Sequence, residues 1–244
     1  MLRENPTVTR APHSDQAPAV QRLRIRFAKR GRLRFTSHRD FQRAFERALR
    51  RAGVPVAYSQ GFSPHPKVSY AGAAPTGAAS EAEYLEIAVT RVCHAAEVGQ
   101  ALDHALPPGL DVVEVVEAGG DPLADRLQAS AWRIDLPGVD QGRLAGAVSA
   151  FLAAPSVEVR RMTKNGSRML DARAAVVRLE VGADGTSLCA VLRHQTPTVR
   201  PDDLLVALRL TGEGVDAQPF LSTRLAQGPL DEESAAVGDP FGSG

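Results

Sequence analysis

Between residues 22 and 27 apolar and basic positions alternate without a break, with Leu23, Ile25 and Phe27 on one side and Arg22, Arg24 and Arg26 on the other. A period of two places successive side chains on opposite faces of a strand, so this stretch predicts a half-buried strand with a basic outer face. Past Gly31, Leu33 and Phe35 resume the alternation with Arg32 and Arg34 opposite, which extends the same basic surface. The period then lengthens. Phe41, Ala44, Phe45, Ala48, Leu49 and Ala52 fall on one stripe of a helix, with Arg39, Arg43 and Arg47 recurring every fourth residue on its flank. Ser37 and Asp40 have the spacing of a capping box that starts this helix, and Gly53 stands where a helix stops.

The pattern continues with a short strand at 54–58, whose Pro55 favours a sheet edge, a loop, and a second short strand at 67–71. Leu85, Ile87 and Val89 then alternate in a strand at 84–89, a helix follows at 95–106, and a strand at 110–116 closes the segment. This β-α-β-β-α-β order is the ferredoxin-like plan, with two helices on one sheet face and the strand arginines on the other, open face. The first and third strands are neighbours in that plan, so Glu83 or Glu86 has an alternative role as an ion-pair partner of Arg24 or Arg26. A second segment repeats the texture: strand at 131–136, helix at 140–152, strands at 157–162, 174–181 and 188–193, and a short helix at 202–210, with Asn165-Gly166 and Asp184-Gly185 as turns. The expectation is an α+β chain of tandem ferredoxin-like (βαββαβ) domains, the second degenerate because its central hairpin is too long. Its boundaries are a disordered leader at 1–20, the first domain at 21–118, a linker at 119–129, the second domain at 130–225 and a disordered tail at 226–244.

Composition narrows the function. No apolar run approaches the roughly 18 residues of a membrane helix, and the first 19 residues lack an apolar signal core, so the chain reads as cytoplasmic. Cys93 and Cys189 stand far apart, which excludes a disulfide framework and a cysteine-ligated cluster; no cofactor is expected. Motifs for phosphate loops, dinucleotide binding, zinc helices and nucleophile elbows are absent. His38 and His65 lack a third ligand at telling spacing, so no metal site is expected. The net charge of +1 hides an asymmetry: residues 21–51 carry twelve basic residues against Asp40 and Glu46, and the remainder of the chain is acidic. Such a block attracts an anionic partner, RNA above all, unless it is spent on ion pairs with the rest of the chain.

Two polar stretches stand out within this frame. Ser37 and His38 sit at a predicted helix start, among free backbone amides that favour an anion, and a neutral His38 there has the chemistry of a general base for metal-independent RNA cleavage. The loop from Tyr58 to Lys67 holds His65 between Pro64 and Pro66. It offers Tyr58 and Phe62 for stacking, Gln60 and Ser63 for hydrogen bonds and Lys67 for a phosphate, the mixture used on single-stranded RNA. The two stretches are expected to form the lips of one site, which requires His38 to reach the loop. The predicted anion-binding surface therefore comprises Arg24, Arg26, Arg32, Arg34, Ser37, His38, Arg39, Arg43, Tyr58, Gln60, Phe62, Ser63, His65 and Lys67, extended by Lys164, Arg168 and Arg173 of a basic hairpin. Each group also has a plain structural use: His38 bonded to its loop, the aromatics plugging their own core, Asp171 paired with Arg173.

Taken together, residues 24–35, Ser37, His38 and Asp40, the helix from Arg43 to Gly53, the loop from Tyr58 to Lys67 and the run from Ser80 to Tyr84 resemble the radical SAM-linked protein family. That is a bacterial domain found alone or as an extension of radical SAM enzymes. The likeness spans about residues 22–117 and continues more loosely to about 210 through Lys164, Asn165, Gly166, Ser167 and Arg168 and through Asp171 and Arg173. The resemblance implies a partner radical SAM enzyme, since this chain lacks the three-cysteine motif that holds the cluster. The leading expectation is a non-catalytic RNA-binding protein that presents RNA (tRNA or rRNA) to such an enzyme. Its alternatives are an endoribonuclease using His38 and a protein adaptor that docks on the enzyme without RNA. A fold-level likeness to CRISPR repeat-processing endoribonucleases lacks their Gly-rich C-terminal loop.

Overall fold

The alternation at the start of the chain becomes β1 (Gln21–Lys29), whose Leu23, Ile25 and Phe27 are buried beside the first helix, α1 (His38–Arg51). In this computed structural model, which describes residues 17–60, 62–163, 166–212, 215 and 220–242, the order continues through β2 (Val68–Ala71), β3 (Ala79–Val89), α2 (Ala95–Ala105) and β4 (Leu110–Glu117). A short helix, α3 (Leu123–Arg126), leads to β5 (Ala129–Asp135), α4 (Gln141–Ala153), the hairpin β6 (Glu158–Thr163) and β7 (Gly166–Asp171), and the turn α5 (Ala172–Ala175). Then follow β8 (Val176–Val181), β9 (Ser187–Arg193), α6 (Pro201–Thr211), β10 (Leu221–Gly228) and a two-rung ribbon of β11 (Leu230–Asp231) and β12 (Ala236–Val237).

Eight strands form one mixed sheet in the order β4-β1-β3-β10-β5-β9-β8, with β2 paired to β3 beside that path. Neighbours are antiparallel except β10 and β3, which run parallel over Thr223 opposite Ala79 and Arg224 opposite Ser80. The chain is thus an α+β protein with a large mixed sheet and six helices among the described residues. One core cluster gathers Leu23, Ile25, Phe27, Phe41, Phe45, Leu49, Leu85, Ile87 and Leu102. The other gathers Trp132, Ile134, Leu144, Phe151, Leu188, Leu204 and Leu208. Among the described residues no helix is long and apolar enough to cross a membrane.

Several local expectations change. Residues 31–35 form a 3-10 turn, not an extension of the strand: Gly31 takes φ +55°, which ends the extended backbone, and Phe35 is left 59% exposed. Residues 54–58 make only isolated bridges, Val56 to Val89 and Tyr58 to Pro66, because the prolines of this region carry no N–H for a ladder. Residues 172–175 are a helical turn capped by Asp171 before β8 begins. The sheet face expected to be open is covered in part. Ala82 and Tyr84, opposite in phase to Leu85 and Ile87, pack under Leu123, Leu127 and Phe241.

The tail is the largest correction. Residues 226–228 lie within β10, Gln227 is 1% exposed, and the Phe241 ring meets Tyr84 edge-on at 5.3 Å. A polar, Gly-rich composition signals too little apolar area to fold alone, but a segment that completes an existing sheet needs little of its own. The leader expected over residues 1–20 falls, up to residue 16, outside the described residues.

Candidate nucleic-acid interface and adjoining pocket

Two of the three arginines of β1, Arg24 and Arg26, are spent within the protein. The Arg24 side chain, 5% exposed, sends Nε to Glu86 at 3.2 Å and Nη2 to the Asp121 carbonyl at 2.5 Å. Arg22 approaches the same Glu86 at 3.4 Å, and Arg26 Nε donates to the Glu81 carbonyl at 2.9 Å. Arg30 bonds Glu81 and Asp111. The cross-strand pairing foreseen for Glu86 is therefore present, whereas Glu83 pairs instead with Arg224.

The helix arginines behave differently. Ser37 caps α1 as its spacing predicted, accepting from the Asp40 N–H at 3.2 Å and donating to the Asp40 carboxylate at 2.7 Å. From that anchored start, Arg39, Arg43, Arg47 and Arg50 follow at intervals of four, four and three, so they share one exposed stripe. Arg43 stands 4.0 Å from Asp40, a loose pair at best, and Arg39, Arg47 and Arg50 have no carboxylate partner among the described residues. Exposed Arg32 is likewise unpaired, and the Arg34 guanidinium stacks 4.5 Å above the Phe35 ring.

His38 opens α1 and is exposed. Its Nε2 lies 3.1 Å from the Gln42 amide, and its ring meets Tyr70 edge-on at 5.1 Å. It lines a cavity of about 70 Å³ with Phe27, Lys29, Thr36, Tyr70 and Glu83. The other wall is Ala71 at the end of β2 with Ala73, Ala74 and Thr76 of the stretch that follows, and among the described residues none of 58–67 lines it. The 58–67 loop is organised around its own bonds: the Ser59 hydroxyl meets His65 Nδ1 at 2.9 Å and accepts from the His65 N–H at 3.1 Å. Tyr58 packs on the core beneath, Phe62 is 98% exposed, and Gln60, Ser63 and Lys67 face solvent. The side chain that meets His38 is thus Tyr70 of β2, and no bond joins His38 to the loop among the described residues.

A family model described as "Uncharacterized protein conserved in bacteria (DUF2344)" matches residues 22–201. The chain belongs to this family. No curated protein matches it. The family's description assigns no activity, and the matched region takes in α1, the loop and the His38 pocket while ending at the start of α6.

Within the family region, the basic hairpin β6–β7 contributes less than its composition suggests. Lys164 lies outside the described residues, and Arg168 is exposed. Arg173 turns its side chain to the carbonyls of Leu152 and Val176 at 3.4 and 3.3 Å. Asp171 does not pair with the Arg173 guanidinium; it accepts from the backbone N–H groups of Val157, Arg173 and Ala174. Arg161 of the same hairpin is bonded to Asp203 of α6.

Sequence reasoning missed a second cleft. It has a volume of about 550 Å³ and lies between the 72–76 stretch and Ser130, Trp132, His194, Arg200 and Arg224. His194 Nδ1 donates to the Leu127 carbonyl at 2.7 Å, which leaves Nε2 to accept from the Ser130 hydroxyl at 2.7 Å. Burial lowers the His194 pKa, and nearby Arg224 lowers it further. Because protonation is favoured in the unfolded chain, whose histidine titrates near 6.5, stability contributed by neutral His194 is complete above that pH and is lost as pH falls below it. Urea unfolding at pH 7.5 and pH 5.5 is expected to show this loss in the native chain and a smaller one in His194→Gln. An equal pH response in both would reject His194 as its source. Nothing local in the sequence marks this pair: Ser130 and His194 are 64 positions apart.

Proposed function

We propose that this protein is a non-catalytic RNA-binding accessory factor that presents RNA to a separate radical SAM enzyme. The observation that carries the RNA part is the division of the basic block. Arg24 and Arg26 of β1 are bonded internally, while Arg39, Arg47 and Arg50 of α1 stand exposed and, among the described residues, without a carboxylate partner beside Arg43 and Arg32. A row of guanidinium groups at helical spacing, left without counter-charges, suits a phosphate backbone and carries no base specificity of its own. The exposed Phe62 and Lys67, with Arg168, are the remaining surface groups that suit RNA. The enzyme partner rests on the resemblance of the sequence motifs alone. The strand orders β4-β1-β3-β2 and β10-β5-β9-β8 support reading the two halves as ferredoxin-like units, with the β6–β7 hairpin inserted into the second.

Binding of total tRNA or rRNA fragments across a salt series tests this reading. Arg39→Glu with Arg47→Glu is expected to weaken affinity at least tenfold and to flatten the slope of log affinity on log salt by about 1.4, roughly 0.7 for each single-strand phosphate that is no longer neutralised. Arg22→Glu, on the strand pair with Glu86, is expected to change affinity less than threefold. Absence of binding at low salt, or equal effects of the helix and strand variants, rejects the RNA reading. RNA cleavage in EDTA that disappears in His38→Ala replaces it with an endoribonuclease.

A further inference from the structure

Three ionisable side chains are buried where β1, β3 and β10 meet: Lys29 at 5% exposure, Glu83 at 4% and Arg224 at 3%. Arg224 bonds Glu83 directly and also reaches the Gly72 carbonyl at 2.6 Å and Gln227 Oε1 at 3.1 Å. The second oxygen of Glu83 accepts from the Ala74 N–H at 3.1 Å. The carboxylate is thus committed on both oxygens. The Lys29 side chain has no hydrogen bond and no contact ion pair among the described residues, although it feels Glu83 and Arg224 through space. Its side chain lines the cavity of about 70 Å³ at the start of α1. Tyr70 lines the same cavity from β2, and its hydroxyl is buried without a hydrogen-bond partner.

Two side chains from different strands thus meet one small cavity without a partner among the described residues: the Tyr70 hydroxyl, sealed from water, and the Lys29 amine, which keeps a narrow contact with solvent; the remaining walls include the rings of Phe27 and Phe41. Buried polar groups are normally bonded, so the Tyr70 hydroxyl calls for a partner, and a lysine whose stem is buried gains from a counter-charge at its amine. At the Lys29 end two cations, Lys29 and Arg224, face one carboxylate, Glu83, which leaves room there for one negative charge, while Glu46 acts through space on Tyr70. We propose that this cavity binds the carboxylate end of a small organic ligand. Its oxygens accept from Lys29 Nζ and Tyr70 Oη, and the rest of the molecule leaves past exposed His38. The small volume and the single uncompensated charge fit a monoanionic, planar carboxylate. A phosphate carries up to two charges at neutral pH and is bulkier. Burial lowers the pKa of the Lys29 amine, with Glu83 opposing and Arg224 assisting, and a carboxylate in contact reverses that shift.

The inference does not depend on RNA binding, and its test contains no RNA. Thermal unfolding of the full chain is followed in about 0.1 M sodium acetate, sodium chloride or sodium phosphate at matched ionic strength, and in chloride with acetamide added as the neutral isostere. Acetate is expected to raise Tm by about 3 °C over chloride. Acetamide and phosphate are expected to give no such rise, and Lys29→Met is expected to abolish it. That variant leaves the Arg224–Glu83 pair electrically balanced, so it should fold; if it does not, Tyr70→Phe serves in its place, with the acetate shift at least halved. A rise with acetate no greater than with chloride or acetamide, an equal rise with phosphate, or a shift unchanged in the variants overturns the proposal.

Discussion

Replacing Arg224 with methionine is expected to lower stability by about 3–5 kcal/mol, the cost of leaving a buried carboxylate without its partner. The Arg224 and Glu83 side chains are 3% and 6% exposed and are bonded to each other across the parallel junction of β10 and β3. Arg224 also holds the Gly72 carbonyl and Gln227, so its loss frees acceptors on β3, on β10 and in the stretch after β2 at once. Lys29 reaches Glu83 only through space, which softens the loss without replacing the bond. The double variant Arg224→Met with Glu83→Leu removes both charges and is expected to recover most of the stability, since buried ion pairs seldom outperform apolar side chains of similar volume. Urea unfolding of the two variants measures this. A single variant within about 1 kcal/mol of the native chain, or a double variant worse than the single, would reject the pair as the clamp of this junction.

Ending the chain after Leu225 is expected to be nearly as damaging, by about 4 kcal/mol or more. The truncation removes Gln227, which donates to the Ala82 carbonyl at 3.2 Å and bonds Arg224, and it removes Phe241 from the face of Tyr84. It also strips Gln128 of its backbone bond to the Gly228 carbonyl, at 2.9 Å, and leaves Ser130 and Ala129 without their β10 partners. Tyr84, whose pKa burial pushes up to about 12, would meet water, so its ultraviolet titration offers a second readout. Melting of the truncated chain within about 2 °C of the full-length protein would show that the tail adds little, against an expected fall of about 10 °C.

How legible the chain was depended on the range of the interaction. Helix α1 could be drawn from its apolar stripe and Ser37 cap because both signals lie within a few residues. The failure at residues 31–35 was also local, but it turned on one backbone angle: Gly31 in the left-handed region breaks a side-chain alternation that otherwise continues through Phe35. The site was harder. Lys29 is two residues past Phe27, in phase with Leu23, Ile25 and Phe27, so a lysine on the core side of a strand was visible in principle; the surrounding arginines masked it as one more basic residue. Its neighbours Glu83, Tyr70 and Arg224 come from strands remote in the sequence.

The sequence alone determined the periods, hence the four longer helices, most of the strands, the α+β class and the concentration of positive charge in residues 21–51. Only the tertiary structure decided which of those charges remain available. It assigned Arg24 and Arg26 of β1 to internal acceptors, left the α1 arginines facing water, drew residues 226–228 into the sheet and set Tyr70 against His38. The reason is physical: periodicity is set by backbone geometry within a few residues, whereas a charge is free or spent according to what the rest of the fold brings within a few ångströms of it.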